Sequence, residues 1–175
     1  MVIWLIGMSG AGKTVIGRAT YELMKSRNPA TVLIDGDEIR AIFRQDTDVA
    51  AFTVDGRRRN AERIREMCAW LDRQGIDVVC AVLSIFEESH EWNRRHYSRY
   101  FEVYVSAPME VLIERNPTDL YRRAQRGEVG DVVGVQIPFQ PPTSPDLVID
   151  NGRDLVDPIE SAHRILDHAA GKFAQ

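Results

Sequence analysis

Cysteine is scarce in this chain. Cys68 and Cys80 are the only two, each in apolar surroundings and without C-x-x-C spacing. They read as buried thiols in a reducing compartment. Long hydrophobic runs are missing too. Nothing approaches the ~20 apolar residues of a membrane span. Val2 to Ile6 is too short for a signal peptide and runs at once into glycines. No membrane partner and a cytoplasmic location are therefore expected. A basic excess is also lacking: the net charge is −4, with arginine far outnumbering lysine. That argues against a nucleic-acid partner but leaves room for a local basic pocket. The histidines, His90, His96, His163 and His168, lack the spacing that would set two ligands on one helical face. They read as surface or satisfied helix positions, and Trp4 and Trp70 as core.

What is present suits one domain over residues 1–175, with 44% hydrophobic and 27% charged residues. Apolar runs alternate with amphipathic stretches. Strands are expected at Val2–Ile6, Thr31–Ile34, Val78–Leu83, Phe101–Val105 and Leu147–Ile149. Helices are expected over Lys13–Lys25, from about Asp37 with Ile39, Ile42 and Phe43 inward, and over Arg58–Gln74. Further helices are expected from Pro108 to about Arg115 and over Pro158–Ala170. Apolar strands separated by helices indicate a parallel sheet covered on both faces. Between Asn116 and Pro145 the rhythm fails. A segment this long is expected to be a lid with one short helix, Leu120 to Arg126.

The first strand leads into GMSGAGKT, which fits G-x-x-x-x-G-K-[ST]. Gly7, Met8, Ser9, Gly10, Ala11 and Gly12 can turn successive backbone N–H groups toward phosphate oxygens. The following helix aims its positive end at the same anion. Lys13 adds a full charge for the outer phosphates, and the Thr14 hydroxyl can ligate Mg²⁺. The expected ligand is ATP with Mg²⁺, since no guanine-reading N-K-x-D occurs in the chain. The expected class is α/β, a P-loop NTPase of nucleoside-kinase-like architecture.

The second strand ends in LIDGDEIR, which puts Asp35 and Asp37 at its carboxyl end, beside the phosphate loop. One carboxylate can hold a metal-bound water while the other accepts a proton from an attacking hydroxyl. Asp37 is also a natural cap for the next helix. Arg40, Arg57 and Arg63 offer planar forks for oxyanions. Arg58 and Arg59 read as a solvated helix start.

With these motifs in place, the chain resembles the adenylylsulfate kinase family from Ile3 to about Asp150. The resemblance is carried by WLIGMSGAGKT, LIDGDEIR, FTVDGRRRNAERI, RNPTDLYRRAQRGEV and SPDLVID. It implies transfer of the ATP γ-phosphoryl to the 3′-hydroxyl of adenosine 5′-phosphosulfate, a small-molecule nucleotide, in a homodimer. It makes Asp37 the base and Asp35 its metal-side neighbour. Arg40, Arg57 and Asn60 would grip the acceptor's phosphate and sulfate, and Phe52 would wall its base. Ser84 matches a family serine after the third strand. Leu120, Tyr121, Arg122 and Arg123 match the lid, where an Arg pair replaces a Lys pair and can neutralise the transferring phosphoryl group.

Three departures cluster on the acceptor side. Val132 stands where a phenylalanine would face Phe52, Arg122 and Arg123 change reach, and Ala81 to Ile85 is more apolar than its family counterpart. A subgroup of the family phosphorylates cytidine diphosphoramidate during capsule decoration, and that acceptor is the alternative. A catalytically inactive ATP-binding module is the alternative of another class. Phe86 and Trp92 are expected to pack the following helix rather than wall the pocket.

Overall fold

A computed structural model describes residues 1–116 and 118–174; Pro117, in the expected lid, lies outside the described residues. The five strands are β1 (Val2–Ile6), β2 (Thr31–Asp35), β3 (Asp77–Val82), β4 (Tyr100–Ser106) and β5 (Leu147–Asp150). They form one parallel sheet in the order β2-β3-β1-β4-β5. Ile6 pairs with Val82 and Tyr104, and Asp35 with Ala81. The carboxyl ends of β1 to β4 therefore share one edge, where open parallel sheets form their sites.

Strand alternation divides the core. Ile3 and Leu5 face one side, joined by Val79, Phe101 and Val103. Val2, Trp4 and Ile6 face the other, with Val78, Cys80 and Val82. All five residues of β1 are buried, as a central strand covered on both faces requires. The first side is covered by α1 (Lys13–Arg27) and α7 (Pro158–Phe173), which pack on each other. The second is covered by α2 (Gly36–Ile42) and α3 (Val54–Arg73). The remaining helices are α4 (Glu87–His96), α5 (Met109–Arg115) and α6 (Leu120–Gln125).

Cys68 and Cys80 are free and buried together in the second core. Two expectations on burial fail. Ile42 and Phe43, expected to face inward, are 70% and 46% exposed, because α2 ends after two turns at the rim of the sheet. Trp70, expected in the core, is 58% exposed. It follows Ala69 on α3 but turns away from the buried stripe of Ile64 and Cys68.

The segment expected to form a lid packs against the core. Tyr121 and Ala124 of α6, with Val132 beyond it, join the first core. The Tyr121 hydroxyl donates to the Ser9 carbonyl at 2.8 Å, tying α6 to the phosphate loop.

A short 3-10 turn, Val49–Phe52, precedes α3 and carries Phe52. Gly56 lets the two cross. A Cβ there would overlap the Ala50 carbonyl oxygen and come within 2.7 Å of Ala51. Gly56→Ala is therefore expected to destabilise the protein by about 1–3 kcal/mol, as overpacking against backbone does. Urea unfolding reads this as a lower midpoint, and displacement of Phe52 should raise the acceptor KM more than the ATP KM. An unchanged midpoint refutes the close crossing.

Candidate active site

The phosphate loop is held from several directions. Gly10 and Gly12 take left-handed φ values of 83° and 99°, which side chains disfavour. A Cβ on Gly7 would strike the Val105 carbonyl oxygen, and one on Gly12 would sit 2.5 Å from Asn151 Nδ2. That same Nδ2 donates to the Ala11 carbonyl at 2.8 Å. Met8 supplies its carbonyl to the Lys13 ammonium, also at 2.8 Å. The first turn of α1 contains no acidic residue, so its positive end is left for an anion.

Asp35 links this loop to the acceptor side. Its Oδ2 accepts from Thr14 Oγ1 at 2.7 Å. Its Oδ1 accepts from the Asp37 N–H at 2.9 Å and so caps α2. Asp35, not the expected Asp37, is thus the cap, which frees the Asp37 side chain. Asp37 lies one turn before Arg40, whose Nη1 donates to Asp37 Oδ1 at 2.7 Å. Arg40 is buried, whereas the Asp37 carboxylate is largely open to solvent.

All of this opens into one cavity of about 730 Å³, whose walls also include Phe52, Arg57, Asn60, Ser84 and Val132. Arg57 Nε donates to the Phe52 carbonyl at 2.7 Å and Nη2 to the Asp131 carbonyl at 2.9 Å. The Arg40 and Arg57 guanidinium carbons lie 5.2 and 5.8 Å from the Phe52 ring centroid. Burial, then the neighbouring Arg40, lower the pKa of Arg57. Leu120 and Tyr121 close the cavity from the lid.

Arg122 and Arg123, expected to meet the phosphoryl group on closure of the lid, do not line the cavity in this structure. On the outer side of α6, Arg122 pairs with Asp119 at 3.2 Å and Arg123 with Glu128 at 3.6 Å. Helical geometry explains it: the face that carries Tyr121 and Ala124 inward turns these arginines out. Phe86 and Trp92 are absent from the walls and pack around α4, Trp92 stacking on His96 at 4.0 Å. Sequence reasoning missed three contributors. Asn151 clamps the loop, Trp4 reaches the cavity from β1, and His90 is buried behind Ser84 at 2.9 Å. Asn151 acts across a long sequence separation, Trp4 from a position that reads as core, and His90 from a polar stretch that reads as solvent-facing, so no local pattern marks them.

The adenylylsulphate kinase family pattern matches residues 1–150. The chain belongs to the adenylylsulphate kinase family. It is 37% identical over 150 residues to the cytidine diphosphoramidate kinase of Campylobacter jejuni, covering 86% of this chain and 85% of that one. It is 36% identical over 169 residues to the adenylyl-sulfate kinase of Paraburkholderia xenovorans, covering 95% and 91%. Its fold superposes on the Mycobacterium tuberculosis APS kinase CysC in complex with AMPPNP and APS. That match has a TM-score of 0.83 and 25% identity, and covers 95% of both chains. The shikimate kinase of Aquifex aeolicus shares the fold, with a TM-score of 0.56 and 21% identity. The chain is thus a nucleotide kinase of the adenylylsulphate kinase family.

The adjacent Thr14 hydroxyl and Asp35 carboxylate fit a hard cation that brings phosphate and water oxygens of its own. Among the described residues no group of three or more His, Cys, Asp or Glu could hold a metal unaided.

Lys13 has the most informative charge in this family site. Although its stem meets the open cavity, desolvation of its ammonium lowers its pKa to about 8, against the opposing pull of Asp37 and Asp35. At pH 8 about half of the free sites therefore carry a neutral Lys13. A bound triphosphate favours the ammonium. ATP binding is expected to take up protons near pH 8 and to weaken as pH rises further. Titration calorimetry in buffers of different ionisation enthalpy reads this uptake, which Lys13→Arg should abolish because arginine stays charged. Buffer-independent heats in the unaltered protein would refute it.

Proposed function

We propose that the chain transfers the γ-phosphoryl group of ATP to the 3′-hydroxyl of a 5′-nucleotide carrying a second acidic group. The observation that carries this reading is the convergence of Lys13, Asp35, Asp37 and Arg40 on one cavity between phosphate loop and acceptor wall.

Each residue has a task. The loop N–H groups, the α1 terminus and Lys13 hold the triphosphate. Asp37 accepts the proton of the attacking hydroxyl, and Arg40 holds that carboxylate in place. Arg40 and Arg57 receive the acceptor's anionic groups beside Phe52. Thr14 and Asp35, the latter through water, would hold Mg²⁺, which when bound offsets charge on the phosphates. Arg122 and Arg123 reach the phosphoryl group only if α6 moves and their pairs with Asp119 and Glu128 open.

For the acceptor, the buried Val132 supports cytidine diphosphoramidate. Val132 is packed with Tyr121 and Ala124 and gives Phe52 no opposing ring. Stacking one base on an aromatic side chain is worth roughly 1–3 kcal/mol, so a purine loses most from this exchange. The 37% identity to a cytidine diphosphoramidate kinase supports the same choice. Adenylylsulfate, the acceptor first implied by the resemblance, is the second reading, supported by the relatives named adenylyl-sulfate kinase.

Asp37→Asn is expected to lower kcat by about 10²–10⁴, the usual worth of a positioned base. ATP affinity should stay within about threefold, because no loop contact involves the Asp37 carboxylate. Near-normal turnover would show that Asp37 is not the base. Replacing Arg122 and Arg123 together by alanine should lower kcat at least about tenfold with ATP affinity kept, if these cations meet the transition state; unchanged kcat leaves them on the surface. Initial rates with cytidine diphosphoramidate and with adenylylsulfate, compared as kcat/KM, decide the acceptor.

A further inference from the structure

Five acidic residues line the cavity: Asp35, Asp37, Asp46, Glu128 and Asp131. Asp35 takes the Thr14 hydroxyl and the Asp37 N–H, Asp37 pairs with Arg40, and Glu128 pairs with Arg126. Asp46 is open to water. Asp131 differs from all four. It lies in the segment between α6 and β5 and is half-buried, and among the described residues its carboxylate makes no hydrogen bond or ion pair.

The geometry points to the Asp131 carboxylate as the group that reads the acceptor's base, by accepting a hydrogen bond from an exocyclic amine. It would thus select cytosine or adenine over their oxo counterparts, uracil and hypoxanthine. This rests on the kinase reading above and adds which edge of the base the wall recognises.

The backbone at Asp131 is unusual, with a left-handed φ of 58°. Aspartate adopts that shape most readily when its side chain bonds locally. Asp119, at φ 54°, does so through its pairs with Arg122 and Arg126. Asp131 has no such local bond and is held from outside instead. Its carbonyl accepts from Arg57 Nη2 at 2.9 Å, and the next N–H, that of Val132, donates to Gln136 Oε1 at 3.0 Å. Gln136 Nε2 donates in turn to the Ala124 and Val129 carbonyls, at 3.1 and 3.2 Å. The chain around Asp131 is therefore tied to α3 through Arg57 and to α6 through Gln136.

Its neighbours indicate which part of a nucleotide it meets. Arg57 Nε donates to the Phe52 carbonyl, and the same guanidinium lies 5.8 Å from the Phe52 ring. One side chain thus joins the turn that carries Phe52 to the segment that carries Asp131. The base is the part that stacks on an aromatic ring, so its edge is brought toward this segment. A carboxylate there repels phosphate or sulfate oxygens and gains only from hydrogen donors. Its charge already acts on Arg57. A base offers such hydrogens at its exocyclic amine, and carboxylates accept from cytosine N4 in this way. With a carbonyl oxygen in place of the amine, two acceptors face each other in a partly desolvated wall, and neither is satisfied.

The test uses the full chain with ATP and two pairs of acceptors: cytidine and uridine diphosphoramidate, and adenosine and inosine 5′-phosphosulfate. Within each pair the base amine gives way to oxygen and the rest of the nucleotide is kept. Whichever pair the kinase uses, the amine form should be favoured by at least about tenfold in kcat/KM, mostly through KM. Asp131→Gly, which suits the left-handed backbone, should shrink that ratio to about threefold or less. Asp131→Asn keeps the side chain's size and adds an N–H donor, so it should lower the KM for the oxo form while raising that for the amine form. A ratio near one in the unaltered protein, or a ratio that survives Asp131→Gly, overturns the proposal and leaves the kinase standing. Equal effects of Asp131→Asn on both forms would show that Asp131 only shapes the segment, and would overturn it too. No ADP release with any of the four acceptors removes the kinase reading itself, and the proposal with it.

Discussion

Asp35 makes the site one object. Through one oxygen it takes the hydroxyl of Thr14, the last residue of the phosphate loop motif. Through the other it takes the Asp37 N–H and begins α2. The donor half and the acceptor half are thereby fixed to the end of a single strand, β2, whose register with β3 is set by five successive pairs. Loss of this carboxylate would free Thr14, uncap α2 and loosen the placement of Asp37 and Arg40 together. In-line phosphoryl transfer depends mainly on positioning and charge, so this short linkage bears directly on rate.

Charge in the molecule follows the same division. The chain is acidic as a whole, yet Lys13, Arg40 and Arg57 all face the cavity. Burial works against each of these cations, and the lowered pKa values of Lys13 and Arg57 register that cost. An anionic nucleotide relieves it, so part of the attraction for substrate comes from these buried cations in the cavity wall. The lid cations are treated oppositely. Arg122 and Arg126 are exposed, Arg123 is half-buried, and all three are compensated by Asp119 and Glu128. Such surface pairs are weak, so opening them costs little.

The sheet was legible because its signal is local and strong. Each strand is an apolar run long enough to be buried on both faces, and each observed range lies within about two residues of that expected. The phosphate loop was legible because its glycines and Lys-Thr occupy fixed offsets whose geometry is nearly self-determined. Periodicity misled at Ile42, Phe43 and Trp70, where the apolar pattern continues past the point at which protein covers the helix. It also gave α6 without saying which face docks; Tyr121 and Ala124 took the inward side and turned the arginines out. His90 resisted sequence reading for another reason. A histidine amid Glu, Trp, Asn and Arg looks solvent-facing, and only the fold of the chain from β3 into α4, which packs on α3, brings it to Ser84.

The two halves of the cavity differ in what holds them, and that bears on how function diverges within the family. The triphosphate side is mostly backbone: loop amides, the Met8 and Ser9 carbonyls, the helix end, and glycines that admit no Cβ. Few side-chain exchanges there are tolerated without dismantling the loop. The acceptor side is mostly side chain: Phe52, Arg57, Asn60, Ser84 and Val132 project from a 3-10 turn, α3, the end of β3 and the lid. Each can be exchanged with the sheet intact. The departures from the family pattern, at Val132, Arg122 and Arg123, and Ala81 to Ile85, lie on the acceptor wall or in α6, while the loop, Asp35 and Asp37 keep that pattern. A scaffold built this way keeps its phosphoryl chemistry constant while the side chains of the acceptor wall, and neighbours such as His90 that hydrogen-bond to them from behind, are exchanged.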